Sequence, residues 1–299
     1  MFGKLSKKSS LKHICVVSLS NVGDVVLTAP VSDVLLRDFP QADIDVIVGP
    51  TGKTLFENHP RIATIVFDKH MSGFDYARWC WNLRLKQFDC IVDLRQSGFG
   101  IFLPCRFRTS LWPKPFVGHM REKHLERLRH IYPDFILPVA SRLAIIPKDV
   151  DAIKNLDRYI VMAPGAADER KRWPEARFAQ LAGKLISLGE QIVFVGDQSD
   201  KAIIDRIMTA VGDGCLSLAG QTDLRSLAFV LSKAKYAIVN DSGIMHMASY
   251  MNLPVIALWG PTDVQKYGPW SPQSRVVKKT NELLSIDVED VLSAISENK

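Results

Sequence analysis

Residues 236–261 read YAIVNDSGIMHMASYMNLPVIALWGP, and the organisation of the chain is clearest from this segment. Two short apolar runs, at 237–239 and 255–258, contain β-branched residues that favour strands buried on both faces. Residues 244–251, which lie between the runs, are mostly apolar and good helix formers, and Pro254 follows as a stop signal. The segment therefore predicts a strand, a helix and a second strand, with a tight turn at the carboxyl end of the first strand.

The turn after the first strand consists of Asp241, Ser242 and Gly243. Asp and Ser are favoured N-cap residues because their side-chain oxygens accept the free amide hydrogens of the first helical turn, and glycine allows close approach of the backbone. A helix N-terminus binds anions, and His246, about one turn into the helix, would reach the same ligand. In the alternative interpretation, Asp241 and Ser242 only cap a structural helix and His246 is an ordinary interior histidine.

The N-terminal half of the sequence also alternates strands with helices. Its apolar runs predict strands at 14–19, 44–48, 62–67 and 90–94, and helices at 25–36, 51–57 and 76–85. An alternation of this kind favours a parallel, doubly wound α/β sheet.

One loop of this half, SNVGD at 20–24, follows the first predicted strand. Open α/β sheets bind ligands at the carboxyl ends of their strands, and Gly23 permits a tight turn from strand to helix. The carboxylate of Asp24 would then point into the ligand crevice close to a helix N-terminus. The alternative is that Asp24 serves only as a helix cap.

The C-terminal half begins with a predicted strand at 159–162, followed by Pro164, Gly165 and Ala166 in a loop. Lys171 comes shortly after this loop and precedes a predicted helix at 175–187. A single lysine in a loop is usually solvated, so its position alone does not assign it a role. A further strand at 191–195 is followed by two acidic residues, Asp197 and Asp200, either of which has the position of a helix cap or a ligand group.

The composition of the 299-residue chain, with 47% hydrophobic and 23% charged residues, is that of a globular protein long enough for two domains. No apolar run approaches the ~20 residues that a membrane-spanning helix requires, and the basic N-terminus lacks the apolar segment of a signal peptide. We therefore expect the protein to stay in the cytoplasm. Five cysteines without a C-x-x-C pair argue against a disulfide framework or a zinc site.

The net charge of +6 is distributed unevenly, because residues 102–130 contain seven Lys or Arg against two Glu. Lys4, Lys7, Lys8 and Lys12 form a second basic group. Three interpretations compete for these residues: a solvated face, a nucleic-acid surface, or a surface for anionic lipid or a phosphorylated acceptor. No nucleic-acid-binding motif accompanies the charge, so no nucleic-acid partner is expected.

Three motifs of the chain resemble, in the same order, those of the bacterial lipopolysaccharide heptosyltransferases, glycosyltransferase family 9. They are NVGDVVLTAP at 21–30, PGA with KRWP at 164–174, and NDSGIMH with PVIALWGPT at 240–262. The resemblance implies a GT-B fold, in which two doubly wound Rossmann-like domains enclose a cleft. Residues 1–148 would form the acceptor-binding domain, which carries the general base. Residues 149–299 would form the domain that binds the nucleotide-sugar donor, and its last helix would pack back on the first domain.

The function implied by this resemblance is the inverting transfer of heptose from ADP-heptose to the core oligosaccharide of a lipopolysaccharide acceptor. The family's general base falls on Asp24. The donor-binding positions fall on Gly165, Ala166, Lys171, Asp200, Asp241, Ser242, Gly243 and His246, with Asp197 as the alternative to Asp200 for holding the ribose. No Asp-x-Asp motif is present, so neither a metal nor another cofactor is implied.

Two alternatives to this function stay open at the level of sequence. The first is a transferase of the same fold that uses another nucleotide-sugar or another acceptor, since the residues that would contact the base are not apparent. The second is an inactive nucleotide-binding module or membrane-surface module. A lipid-anchored acceptor and the basic segments together lead us to expect peripheral contact with the cytoplasmic face of the inner membrane.

Overall fold

The computed structural model describes residues 4–7, 9–98, 103–110, 112, 115–136 and 142–296, and the chain divides into two units, Met1–Ile146 and Pro147–Lys299. Each unit has its own parallel sheet. No helix among these described residues is long and apolar enough to cross a membrane.

The first unit is built on a sheet with the strand order β3-β2-β1-β4-β5, all of whose pairs are parallel. Its described elements are β1 (His13–Val17), α1 (Val22–Asp38), β2 (Asp43–Val48), a 3₁₀ segment (Pro50–Phe56), β3 (Ile62–Val66), α2 (Gly73–Leu85), β4 (Cys90–Asp93), β5 (Phe107–Arg108) and α3 (Met120–Arg129). The central strands are buried on both faces, which explains their continuous apolar sequences. Strands β2 and β3 are added on one side of β1, and β4 and β5 are added on its other side. The topological switch point, where the direction of strand addition reverses, therefore lies between β1 and β4.

The second unit has the strand order β11-β10-β9-β6-β7-β8, again with parallel pairs throughout. Its strands are β6 (Tyr159–Ala163), β7 (Gln191–Phe194), β8 (Cys215–Ser217), β9 (Ala237–Asn240), β10 (Val255–Leu258) and β11 (Arg275–Val277). Its α-helices are α4 (Glu175–Ser187), α5 (Lys201–Val211), α6 (Leu224–Lys233), α7 (Gly243–Tyr250), α8 (Val264–Tyr267) and α9 (Val288–Ser296), and its 3₁₀ turns are Asp151–Ile153, Glu169–Lys171, Gln198–Asp200 and Leu283–Ser285. The direction of strand addition reverses between β6 and β9, so the loops after these two strands flank the switch point.

The last helix, α9, packs within its own unit. Its buried residues Val288, Val291 and Ile295 join one apolar core with the side chains of α4, β7 and β10. The packing of this helix back on the first domain, which the resemblance implies, stays a prediction.

The predicted helices and strands agree well with the structure where the elements are long. The helix predicted at 175–187 is α4 with the same bounds. Helix α6 is capped by Asp223, whose Oδ1 accepts a hydrogen bond from the Ser226 amide at 2.7 Å. The segment predicted as helix at 51–57 is a 3₁₀ helix, Pro50–Phe56. Three short strands, β5, β8 and β11, had not been predicted from the sequence.

Candidate functional site

The switch point of the second sheet is held together by a fully buried asparagine, Asn240, the last residue of β9. Its Oδ1 accepts a hydrogen bond from the Trp173 amide at 3.2 Å, and its Nδ2 donates to the Pro164 carbonyl at 2.8 Å. Trp173 follows Lys171 closely and Pro164 precedes Gly165. One side chain therefore joins the loop after β6 to the turn after β9.

Lys171 and Asp241, which come from these two loops, form an ion pair with 2.8 Å between Nζ and Oδ2. The Asp241 side chain is only 6% exposed, whereas that of Lys171 is 25% exposed. The hydroxyl of Thr262 also donates to Asp241 Oδ2, at 2.5 Å. The alternative interpretation, in which Asp241 caps the following helix, is therefore wrong, because its carboxylate contacts Lys171 and Thr262.

Helix α7 starts at Gly243, with Ser242 in the N-cap position. Ser242 makes no side-chain hydrogen bond to the helix, and its Oγ is buried without a hydrogen-bond partner. The capping role that the alternative interpretation gave to Ser242 is therefore also absent. Because neither Asp241 nor Ser242 caps α7, no side chain from the turn occupies the amide hydrogens of the first helical turn, which are the anion-binding groups of a helix N-terminus.

His246 lies on α7 with only 6% of its surface exposed. Its ring stacks on that of Trp270, with 5.8 Å between the centroids and 23° between the planes. This stacking fixes the orientation of the imidazole beside the first turn of the helix.

Gly165 packs against the side chain of Asp200, so closely that a Cβ atom at residue 165 would lie 2.1 Å from Asp200 Oδ1. Glycine is therefore required here for close approach. The carbonyl oxygen of the next residue, Ala166, accepts a hydrogen bond from Arg172 Nε at 2.7 Å. The loop after β6 is thus held on one side by an acidic turn and on the other by Arg172.

Asp197 and Asp200 form a reciprocal capping box around the short turn Gln198–Asp200. The Asp197 amide donates to Asp200 Oδ2 at 3.1 Å, and the Asp200 amide donates to Asp197 Oδ1 at 3.2 Å. Burial raises the pKa of Asp200, whereas the hydrogen bond from the Ser199 hydroxyl lowers the pKa of Asp197. Both carboxylates therefore have a structural role, and a contact of either one with ribose stays a prediction.

Asp24 lies in the other unit, in the first turn of α1, directly after the carboxyl end of β1. It is partly buried and accepts a hydrogen bond from Asn21 Nδ2 at 3.2 Å. The loop before it is fixed by Thr51, whose hydroxyl donates to the Ser20 carbonyl at 2.8 Å. Asp24 therefore lies near the switch point of the first sheet, as Lys171 and Asp241 do in the second.

The basic segment 102–130 is more buried than its composition indicated. Arg127 of α3 donates from Nε to the Asp93 carbonyl at 3.0 Å and from Nη2 to the Ser110 carbonyl at 3.2 Å, which is a structural role. His124 is buried beside it, and burial lowers its pKa to about 4. Lys114 of this segment lies outside the described residues, as does Lys8 of the N-terminal group.

Three residues of this site were given no role in the sequence analysis: Asn240, Thr262 and Arg172. Asn240 and Thr262 are the first and last residues of the quoted NDSGIMH to PVIALWGPT segment, and Arg172 lies inside KRWP. The sequence indicated a role for these residues only through their inclusion in the motifs, because most of their hydrogen-bond partners lie at distant positions in the sequence.

No group of three or more His, Cys, Asp or Glu side chains in the described part of the chain is arranged to hold a metal ion. The candidate site therefore consists of a lysine, a helix N-terminus and buried polar residues. Chemically, this is an arrangement for binding an anion such as a diphosphate.

Comparison with known proteins places these features among glycosyltransferases. Residues 140–293 match the model of glycosyltransferase family 9 (heptosyltransferase). The chain is 36% identical to lipopolysaccharide heptosyltransferase 2 of Escherichia coli K12 over 89% of its length and 87% of that protein, and 35% identical to the Salmonella typhimurium LT2 protein of the same name over 89% and 87%.

Two solved structures have the same fold. The structure of E. coli ADP-heptose lps heptosyltransferase II matches with a TM-score of 0.77 at 24% identity, over 96% of this chain and 98% of that one. The structure of E. coli heptosyltransferase WaaC with ADP matches with a TM-score of 0.79 at 19% identity, over 96% and 100%.

Proposed function

The chain belongs to glycosyltransferase family 9, the heptosyltransferases, and from this premise we propose that it transfers heptose from ADP-heptose to a lipopolysaccharide core acceptor. It is a glycosyltransferase with the GT-B fold, whose two units each carry a parallel sheet. In this proposal residues 149–299 bind the donor, and residues 1–148 bind the acceptor. The acceptor is presented at the cytoplasmic face of the inner membrane.

The proposed donor site is supported mainly by one observation, the Lys171–Asp241 ion pair beside the uncapped N-terminus of α7. The donor's diphosphate accepts hydrogen bonds from Lys171 Nζ and from the first-turn amides of α7. The loop at Gly165 and Ala166 contributes backbone groups, because neither residue has a side-chain hydroxyl. Positive charge and fixed dipoles at this position stabilise the nucleoside diphosphate as it leaves, which is what the reaction demands.

The acceptor side of the proposal rests on Asp24 at the switch point of the first sheet. The acceptor hydroxyl oxygen attacks the anomeric carbon of heptose and forms the new glycosidic bond. The bond from that carbon to the diphosphate breaks, and its electron pair leaves with ADP, so the configuration inverts. The Asp24 carboxylate takes the hydroxyl proton as the new bond forms.

A transfer assay tests this function directly. Purified protein is given ADP-heptose and delipidated, core-truncated lipopolysaccharide, without added metal, and Asp24→Asn serves as the control variant. We expect transfer by the wild type and none by the variant, with equal ADP affinity for both. Turnover of the variant at the wild-type rate would exclude Asp24 as the base.

A comparison of nucleotides tests the choice of donor. We expect ADP to stabilise the protein against heat more than UDP or GDP at the same concentration. A larger effect of UDP or GDP would leave the fold and the diphosphate site intact, but it would assign another nucleotide-sugar to the enzyme. Binding of none of the three would favour an inactive module.

A further inference from the structure

The loop that leads from β1 to Asp24 is fixed to the chain segment that follows β2. The Gly49 amide donates to the Leu19 carbonyl at 3.2 Å, and the Thr51 hydroxyl donates to the Ser20 carbonyl at 2.8 Å. Residue 49 must be glycine, because a Cβ atom there would lie 2.9 Å from the Cα atom of Ser20. The backbone just before α1 therefore has a fixed position, and the freedom that remains at Asp24 is that of its side chain.

Asn21 occupies the N-cap position of α1, but its side chain does not cap the helix. Its backbone has the extended conformation of an N-cap residue, with φ −82° and ψ 145°. An asparagine at this position ordinarily accepts a hydrogen bond from an amide of the first helical turn through its side-chain oxygen. Here Nδ2 donates instead to Oδ2 of the Asp24 carboxylate, at 3.2 Å. The Asn21 side chain thus contacts a neighbouring carboxylate rather than the helix backbone.

The hydrogen bond from Asn21 engages only one of the two carboxylate oxygens of Asp24. Oδ1 has no hydrogen-bond partner among the residues that the structure describes, and the residue is partly buried. An ionised carboxylate only accepts hydrogen bonds, so the amide N–H of Asn21 is suited to face it. A contact on Oδ2 restricts the rotation of the side chain and leaves Oδ1 available to a second donor.

We propose that Asn21 is a positioning residue for the general base. This inference rests on the proposed function, in which the Asp24 carboxylate takes the proton of the acceptor hydroxyl. The Asn21 amide holds Oδ2, and the proton passes from the acceptor hydroxyl to Oδ1 as the glycosidic bond forms. Asn21 keeps both of its amide protons and contacts neither the donor nor the acceptor. Its contribution is to keep the carboxylate in the orientation in which proton transfer takes place.

Helix capping is the structural alternative for Asn21, and the known preferences of N-cap positions make it testable. Asn, Asp and Ser are about equally favourable as N-caps. A capping role therefore predicts that Asn21→Ser and Asn21→Asp leave the enzyme unchanged. A positioning role predicts a loss in both variants, because the serine hydroxyl ends one bond earlier and ionised aspartate has no proton to donate.

The experiment compares the full-length wild type with Asn21→Ser and Asn21→Asp in the transfer assay. It measures kcat, the KM for the acceptor, ADP affinity and thermal unfolding. The matched control is Ser72→Ala at the N-cap of α2, a helix of the same unit. Ser72 does cap its helix, since its hydroxyl oxygen accepts a hydrogen bond from the Asp75 amide at 3.2 Å. The control therefore removes a real helix cap without changing the contact between Asn21 and Asp24.

We expect Asn21→Ser to lower kcat about tenfold, because the carboxylate is no longer held in one orientation. Asn21→Asp should lower kcat further, because the added carboxylate repels that of Asp24. In both variants the KM for the acceptor, the ADP affinity and the midpoint of unfolding should stay close to the wild-type values. Ser72→Ala should lower the midpoint of unfolding and leave kcat unchanged.

Equal kcat values for the wild type, Asn21→Ser and Asn21→Asp would overturn this inference alone. A lower kcat that comes with weaker ADP binding or a lower midpoint of unfolding would also overturn it, because Asn21 would then have a structural role. The absence of wild-type transfer, or turnover of Asp24→Asn at the wild-type rate, would refute the proposed function or its base, and the inference would fall with it. The two kinds of failure are therefore distinguishable in one set of measurements.

Discussion

At the scale of single residues, the Lys171–Asp241 pair fixes the position of a lysine that lies in a loop. A carboxylate as buried as that of Asp241 requires charged or hydrogen-bonding partners, and it has Lys171 and Thr262. Asp241 therefore holds the Lys171 ammonium beside α7 before any ligand arrives. An anion that binds there gains an oriented cation without the entropic cost of ordering a free side chain.

Replacement of Lys171 by alanine tests this role. We expect Lys171→Ala to weaken ADP binding by roughly 1–3 kcal/mol, the range for a lost charge-assisted hydrogen bond, measured by isothermal titration calorimetry. The matched control is Lys201→Ala, which removes an exposed lysine of the same unit that pairs with Asp205. ADP affinity that is unchanged in Lys171→Ala, or equally reduced in both variants, would refute the phosphate contact.

At the scale of elements, Asn240 determines how two loops meet. Asn240→Ala leaves the Trp173 amide and the Pro164 carbonyl buried without their partner. Each unsatisfied group costs about 1–3 kcal/mol, so we expect the free energy of unfolding to fall by about 2–6 kcal/mol in urea titrations. We expect ADP affinity to fall with it. The control is Gln265→Ala on α8, where the amide is exposed and no such loss is expected. Equal stability of Asn240→Ala and wild type would contradict the role of this side chain.

The acidic turn after β7 gives a prediction with opposite signs at two neighbouring positions. Burial raises the pKa of Asp200 in the native state. The native state therefore binds the Asp200 proton more tightly than the unfolded state does. Above the ordinary pKa of an aspartate, ionised Asp200 consequently lowers the free energy of unfolding. Asp200→Asn should therefore raise the free energy of unfolding at neutral pH. This gain should vanish below pH ~4, where Asp200 is protonated in both states.

Asp197 should behave in the opposite way, because the Ser199 hydroxyl lowers its pKa in the native state. Its contribution to stability is present above the ordinary pKa and is lost as the pH falls through the lowered value. Asp197→Asn should therefore lower the free energy of unfolding at neutral pH, and the loss should disappear in acid. Urea titrations over a pH series measure both variants, and effects of the same sign would contradict the assignment.

Long elements were predictable from the sequence because their apolar patterns record burial directly. The bounds of α4 and the central strands of both sheets follow from such patterns. The strands β5, β8 and β11 have two or three residues each, too few to show a period, and they add to the sheets only through pairing with distant segments. The sequence offered two interpretations of Asp241, a donor contact or a helix cap. It could not show the ion pair of this residue, because the partner Lys171 lies 70 positions away.

At the scale of the whole molecule, the chain uses one arrangement twice. Each unit has a parallel sheet in which the direction of strand addition reverses at a central strand. In each unit, the loops that follow the strands at this reversal contain polar residues. In the first unit this residue is Asp24 after β1, and in the second unit they are Lys171 after β6 and Asp241 after β9. The proposed reaction divides in the same way, because the proton acceptor and the donor site belong to different units.

This division predicts that ADP acts on one unit only. At a free concentration one hundred times its Kd, ADP should stabilise the unit Pro147–Lys299 by about 2.7 kcal/mol. For a unit of this size, that is a rise of about 5–10 °C in the midpoint of its thermal unfolding. Hydrogen exchange of the full-length protein should show slower exchange in peptides that cover 164–174 and 240–247.

The control within the same hydrogen-exchange measurement is the peptide that covers β1 and the first turn of α1, around Asp24. Its exchange should not change with ADP alone, because ADP contacts none of its groups in the proposed arrangement. In Lys171→Ala, a higher ADP concentration should be needed for the same protection of 164–174, in proportion to the loss of affinity. Protection of β1 and α1 by ADP, with none at 240–247, would move the donor site to the first unit and would exclude Lys171 as its phosphate ligand.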